Sequence, residues 1–156
     1  MIEDGTVLIE SLAILDYLND VYQERYSLYP KDPVKRAQIK GVCEVINSGI
    51  HPYQNLRLLD IVEKEFHGDR NAFAKQWVVR GSEALEKLLE KTAGKYSFGD
   101  DITAADCCIY PHVVGGAARF GIDFSAYPNL NRVVNNLKEH DAFVKAEPKN
   151  QPDFEK

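Results

Sequence analysis

The stretch VLIESLAILDYL, residues 7–18, decides how this chain is to be read. Asp4-Gly5 ahead of it is a turn signal, and Thr6-Val7-Leu8-Ile9 is a short run of β type. Glu10-Ser11 then opens a helix over residues 12–22, with Leu12, Leu15, Leu18 and Tyr22 on one stripe. A four-residue strand cannot stand alone, because its backbone groups need partner strands and its faces need cover. Everything after it reads helical. The run therefore predicts either partner strands on another chain or a chain that begins partway into a sheet domain.

At 156 residues, with 44% apolar and 28% charged side chains, the composition is that of one soluble globular domain of ordinary size. A net charge of −5 and a pI of about 5.4 argue against non-specific binding to nucleic acid or anionic membrane. No apolar run approaches bilayer length, and Met1-Ile2-Glu3-Asp4 is no signal peptide. Cys43, Cys107 and Cys108 are an odd set without CxxC spacing, which disfavours a disulfide framework or a zinc site. A reducing compartment is expected, most simply the cytosol.

Residues 27–31 read as a linker, in which Tyr29-Pro30 breaks the helical pattern. Asp32-Pro33 is a helix start, with an acceptor at the N-cap and proline at the first helical position. Apolar positions at Ala37, Val42, Val45, Ile46, Ile50, Tyr53 and Leu56 carry that helix on to about Phe66, with a kink rather than a stop expected at Pro52. A third helix is expected over residues 69–92, with Phe73, Trp77, Ala84, Leu85, Leu88 and Leu89 inward and Gly94 as its left-handed cap. Thr103-Ala104-Ala105-Asp106 has capping-box spacing and opens a fourth helix to about Phe120, with Pro111 inside it, Gly115-Gly116 allowing a close neighbour, and Gly121 closing it. Residues 129–139 read as a fifth helix, residues 141–146 as a last turn, and the chain from Pro148 as extended.

Three conventional chemistries find no support. The glycines are scattered as caps and breakers and form no phosphate-cradling loop. The four histidines (His51, His67, His112, His140) lack metal-ligand spacing and read as solvated or hydrogen-bonded. No nucleophile elbow occurs. Four features remain, each with two readings. Glu10-Ser11 stands at a strand-to-helix junction, where free backbone donors and a hydroxyl can hold a carboxylate or simply cap the helix. Residues 46–56, INSGIHPYQNL, place poor helix formers in an amphipathic helix, for binding or to cap a break. Arg119 can fork a substrate carboxylate or complement a helix dipole. Cys107-Cys108 reads as a pair of buried structural thiols, although a helix start can activate a thiol.

Together these segments carry a resemblance. VLIESLAILDYL resembles the last strand and helix of the thioredoxin-like domain of a glutathione transferase, and LYPKDP, residues 28–33, resembles its interdomain linker. GDDITAAD, residues 99–106, resembles the buried cap of that fold's sixth helix. INSGIHPYQNL is similar to the INSGIQPLQNL segment of the zeta class, the maleylacetoacetate isomerases. TAGKYSFGDDITAADCCIYPHV, ARFGIDFSAYPNLNRV and QPD support the same class. The resemblance implies a mainly α protein. Residues 1–26 would be the last strand and helix of a thioredoxin-like α/β domain, and residues 27–156 the all-α helical-bundle C-terminal domain of the glutathione transferase fold.

It also implies glutathione as cofactor and the cis–trans isomerisation of 4-maleylacetoacetate to 4-fumarylacetoacetate, a step of phenylalanine and tyrosine catabolism. Glu10 and Ser11 match the pair that holds the γ-glutamyl end of glutathione. His51 stands where the zeta pattern has a glutathione-contacting Gln, and Asn55 and Leu56 match further positions of that site. Arg119 matches a carboxylate clamp for a small diacid substrate. The SSCSWRVR-like motif that activates the glutathione sulfur does not occur, so no catalytic residue is assigned, and little turnover is expected of these residues alone. Three outcomes follow: a short form of an enzyme, a non-catalytic helical module, or an unstable remnant. The module would pair with itself or with a full-length relative, since these enzymes dimerise across both domains.

Overall fold

Local chemistry places the helix starts. The computed structural model describes residues 2, 4–22, 24 and 26–154. Met1 and Glu3, part of the tetrapeptide read above as no signal peptide, lie outside the described residues. Helix α1 (Ser11–Tyr22) begins where the Glu10 carbonyl accepts from Ile14 N at 3.0 Å. Helix α2 (Pro33–Asn47) is capped by the Asp32 carboxylate, which accepts from Val34 N at 3.0 Å, with Pro33 in the first turn. Asn55 caps α3 (Leu56–Lys64) by accepting from Arg57 N, and Asp69 caps α4 (Arg70–Leu89) by accepting from Asn71 N and Ala72 N.

The expected capping box opens α5 (Ala104–Phe120). The fully buried Asp106 carboxylate accepts from Thr103 N (2.8 Å), Thr103 Oγ1 (3.0 Å) and Ser97 N (2.9 Å), so one side chain ties the preceding loop to the helix. Gly121, at φ 60°, ends α5 in the left-handed conformation that glycine adopts without a Cβ clash. Helix α6 (Pro128–Lys138) is held to α4 by Glu86, whose carboxylate accepts from Asn129 N (2.9 Å) and Leu130 N (3.0 Å). Helix α7 (Asp141–Ala146) follows.

Helix α2 packs on α5, and α4 packs against α3, α5 and α6. Ile39, Val42 and Ile46 of α2, Val78, Leu85 and Leu89 of α4, Ile109 and Val113 of α5 and Leu130, Val133, Val134 and Leu137 of α6 form one buried cluster. Helix α1 lies on it through half-buried Leu12 and Leu15 and through the Lys40–Asp16 ion pair at 2.7 Å. The linker is fastened by Asn19 Oδ1, which accepts from Leu28 N at 2.9 Å, and by Tyr26 Oη, which donates to the Ile102 carbonyl at 2.8 Å.

Several expectations need correction. Among the described residues no strand forms: Thr6-Val7-Leu8-Ile9 joins no ladder, because no neighbouring strand shares its backbone groups. The helix expected to kink at Pro52 stops at Asn47 instead and passes through a 3-10 turn (His51–Gln54) before α3 restarts it. Pro52 offers no N–H, and Asn55 recaps the chain, so two helices replace one. On α4 the inner positions are Ala74, Val78, Ser82, Leu85 and Leu89, while Ala84 and Leu88 face solvent. Gly94 is not left-handed; a Cβ there would come within 2.9 Å of the Gly99 backbone, and Gly99 itself takes the positive φ of 89°. The expected extended tail contains a 3-10 turn, Pro148–Asn150. Cys43 is buried and Cys107 and Cys108 half-buried, and burial pushes the Cys107 thiol up to about 12, which suits a structural role.

Candidate functional site

The break between α2 and α3 builds one wall of a cleft. Gly49 and Pro52 end regular helix, and the 3-10 turn is then fixed from both sides. Ile50 is fully buried against Gly81 of α4, where a Cβ would collide with its side chain. Tyr53 stacks on Trp77 of α4, ring centroids 3.9 Å apart and planes 8° from parallel. Anchored by Ile50 and Tyr53, the turn presents His51, Gln54 and Asn55.

The opposite wall is one face of α5. His112, Gly115 and Arg119 recur at three- and four-residue spacing, which stacks them along one stripe. Gly116 on the inner side lets Phe124 and Val78 approach, its absent Cβ lying 3.1 Å and 3.2 Å from their side chains. The two walls enclose a cleft of about 250 Å³ lined by His51, Gln54 and Asn55 on one side and by Pro111, His112, Gly115 and Arg119 of α5 on the other. Arg119 Nη2 donates to the Gln54 carbonyl at 3.4 Å, so the guanidinium bridges both walls. No carboxylate belongs to this lining among the described residues.

Two imidazoles face each other here with centroids 6.5 Å apart. The Ser82 hydroxyl donates to the Val78 carbonyl at 2.7 Å, which uses its single proton. The contact of 3.1 Å between Ser82 Oγ and His112 Nε2 therefore runs from a protonated Nε2 to the hydroxyl oxygen. His112 Nδ1 then carries a lone pair, and this buried atom has no partner. Burial, with a smaller contribution from the His51 charge, pushes the His112 titration down to about 4. Burial and then the Arg119 charge also hold His51 below the ordinary imidazole value.

The sequence-derived candidates fall into two groups. His51, Asn55 and Arg119 meet in the cleft. Glu10, Ser11 and Leu56 are not part of its lining. Glu10 takes φ 69°, a strained conformation for an L side chain, at the head of α1. Leu56 is 64% exposed. Gln54 belongs to the stretch of residues 46–56 singled out in the sequence; His112 was missed, and its signal was the seven-residue spacing from Arg119, two helical turns on one face. A larger cleft of about 510 Å³ lies along the linker between Asn19 and Thr103, contains none of the candidates, and has its Arg36 engaged by the Pro30 and Lys31 carbonyls.

Residues 59–145 match the family model for the glutathione S-transferase C-terminal domain. The chain is 45% identical over 150 residues to a protein of Caenorhabditis elegans named a probable maleylacetoacetate isomerase, covering 96% of this chain and 69% of the relative. The chain belongs to the zeta-class glutathione transferases, the maleylacetoacetate isomerase family. This zeta-class chain spans 64% and 59% of the length of two Drosophila melanogaster relatives named probable maleylacetoacetate isomerases 2 and 1. It superposes on the maleylacetoacetate isomerase of Anaeromyxobacter dehalogenans 2CP-1, solved with glutathione in its active site, with a TM-score of 0.93 and 35% identity, covering 99% of this chain and 71% of that one. Another structure of that enzyme holds dicarboxyethyl glutathione and citrate in the active site. No helix among the described residues is long and apolar enough to cross a membrane.

Proposed function

We propose that this zeta-class chain forms the acid-substrate side, and part of the glutathione side, of a maleylacetoacetate isomerase-type site. The observation that carries this reading is the cleft in which Arg119 stands beside His51 with no carboxylate to neutralise it. A guanidinium in that setting matches a planar carboxylate through two parallel hydrogen bonds. The substrate read from the family resemblance is 4-maleylacetoacetate, a diacid isomerised about its cis double bond in phenylalanine and tyrosine catabolism.

Glutathione, when bound, supplies the sulfur nucleophile that makes rotation about the former double bond possible. The head of α1 fits its γ-glutamyl end: the strained Glu10 and the Ser11 hydroxyl stand at the free N–H groups of a twelve-residue helix, a ready anion site. Asn55 uses its Oδ1 to cap α3 and keeps its amide N–H groups for a ligand, while His51 and Leu56 flank it. Arg119 holds a substrate carboxylate and fixes the diacid relative to the turn. These residues bind and orient; no serine–cysteine motif able to activate a thiol occurs in the 156 residues. We therefore read the chain alone as weakly active or inactive, in two parts at residues 1–26 and 27–156.

A second reading, a non-catalytic helical module that pairs with itself or with a longer relative, is favoured by one observation. Val7, Ile9, Leu18, Val21 and Tyr22 leave an apolar face uncovered around α1, at 67%, 73%, 40%, 51% and 52% exposure. Under either reading a cytosolic location agrees with the three free cysteines. The deciding assay is glutathione-dependent isomerisation of 4-maleylacetoacetate by the purified chain. Slow or no turnover is expected, and turnover matching that of the longer relatives would overturn the binding-only reading.

A further inference from the structure

Among the described residues the cleft holds one permanent cation, Arg119, and two imidazoles, of which one is free to change charge. His112 is excluded: it is buried, its Nε2–H is committed to Ser82, and burial pushes its titration down to about 4. His51 is an exposed residue on the 3-10 turn whose ring is partly desolvated by the cleft. His51 and Gln54 are three residues apart on a helix with three residues per turn, so they eclipse, and Arg119 reaches the Gln54 carbonyl. His51 and Arg119 therefore face the same cleft from opposite walls, near enough for the guanidinium charge to act on the imidazole.

The groups facing His51 are Arg119 and His112 from α5, Ser82 of α4 behind His112, and the neutral Gln54 and Asn55 of its own turn. On the flanking helices, Glu44 in the last turn of α2 accepts from Ser48 Oγ, and Arg57 stands in the first turn of α3; neither lines the cleft. A dicarboxylate entering this space brings two negative charges against one fixed positive charge. Coulombic attraction in a partly desolvated cleft favours bringing a compensating proton with it.

We propose that His51 is a specificity-determining residue: it takes up one proton from solvent when a dicarboxylate binds and then holds the second carboxylate, while Arg119 holds the first. The inference rests on the reading of the cleft as the acid-substrate side. The balance is simple: free protein, dianion and one proton give the complex, with the proton on the free ring nitrogen of His51 and no covalent bond changed. In the free protein burial and, secondly, the Arg119 charge hold His51 below its ordinary value; the bound dianion offsets that cation and adds attraction of its own. By linkage, a midpoint raised on binding means that affinity rises as pH falls. A monocarboxylate, satisfied by Arg119, gains little from this.

The test follows the His51 Cε1–H resonance through a pH titration of the chain, alone and with saturating malonate or monomethyl malonate. Malonate is expected to raise the His51 midpoint by about one pH unit, equivalent to about tenfold tighter binding on the acidic side, and the monoester is expected to raise it far less. His51→Gln should bind malonate with that added pH dependence gone relative to wild type, a comparison in which the ligand's own ionisation cancels. Malonate binding that is lost in Arg119→Gln but leaves the His51 midpoint unmoved would overturn the inference and leave the cleft reading standing. Malonate binding unaffected by Arg119→Gln, or none at all, would overturn both.

Discussion

The two groups of candidate residues sit in very different surroundings. The cleft between the 3-10 turn and α5 is made entirely by packing within the chain, from Ile50 on Gly81, Tyr53 on Trp77 and Phe124 on Gly116. The Glu10-Ser11 junction stands next to exposed Val7 and Ile9, and its backbone is strained at Glu10. The first region is locked by contacts between separate elements, Ile50 with Gly81 and Tyr53 with Trp77 joining the turn to α4. The second is held through α1 by Leu12, Leu15 and the Lys40–Asp16 pair. The comparison teaches that packing among these helices is enough to build the cleft that we propose takes the acid substrate, whereas the proposed glutathione residues Glu10 and Ser11 stand on a surface this packing leaves largely uncovered.

The sharpest contrast is in stability. Asp106→Ala removes the acceptor of three buried donors and is expected to cost about 3–5 kcal/mol, read as a lower urea midpoint. Val7→Ser or Ile9→Ser changes exposed residues and is expected to stay within about 0.5 kcal/mol. Equal losses in the two regions would break the comparison.

Acid provides the next contrast. His112 titrates at about 4 in the fold, against an ordinary value of 6.5. Between those values the unfolded chain binds more protons, so stability rises with pH. The contribution is fully present above about pH 6.5 and is lost as pH falls toward 4, by about 3 kcal/mol over the window. His51, also lowered, adds in the same direction. Chemical denaturation at about pH 7 and about pH 5 is expected to show a smaller fall for His112→Gln than for the wild type. An equal fall would place the acid sensitivity elsewhere. A milder effect is expected at Gly81: Gly81→Ala forces Ile50 aside, and the shifted turn should weaken malonate binding while leaving α6 protected in hydrogen exchange.

Much of the fold was legible because it is local. Asp32-Pro33 and Thr103 through Asp106 announce helix starts within four residues of sequence, and each appears with the expected bonds, while Asp69, expected as the first residue of a helix, is its N-cap. The break at residues 48–55 was readable as a disturbance, but its extent was not. Whether Pro52 kinks or stops a helix depends on Ile50 finding a glycine on α4, a contact across thirty-one residues. The phase of α4 was missed at Ala84 and Leu88 because Ser82 turns inward to meet His112, so a polar residue sits where an apolar one was sought. Gly94 misled for the same kind of reason, its small size serving a backbone contact with Gly99 and not a helix cap. In the site, the resemblance pointed to Arg119, His51 and Asn55, which the fold gathers. His112 stayed hidden because its place depends on how α5 packs against α4.

The most direct measurement is calorimetric titration of the folded chain, as wild type, Arg119→Ala and Ser11→Ala, with malonate and separately with glutathione. Arg119→Ala is expected to weaken malonate by about tenfold to a hundredfold, the value of charge-assisted hydrogen bonds, and to leave glutathione nearly unchanged. Ser11→Ala is expected to do the reverse. Losses that fall equally on both ligands in either variant would contradict the separation of the two sides.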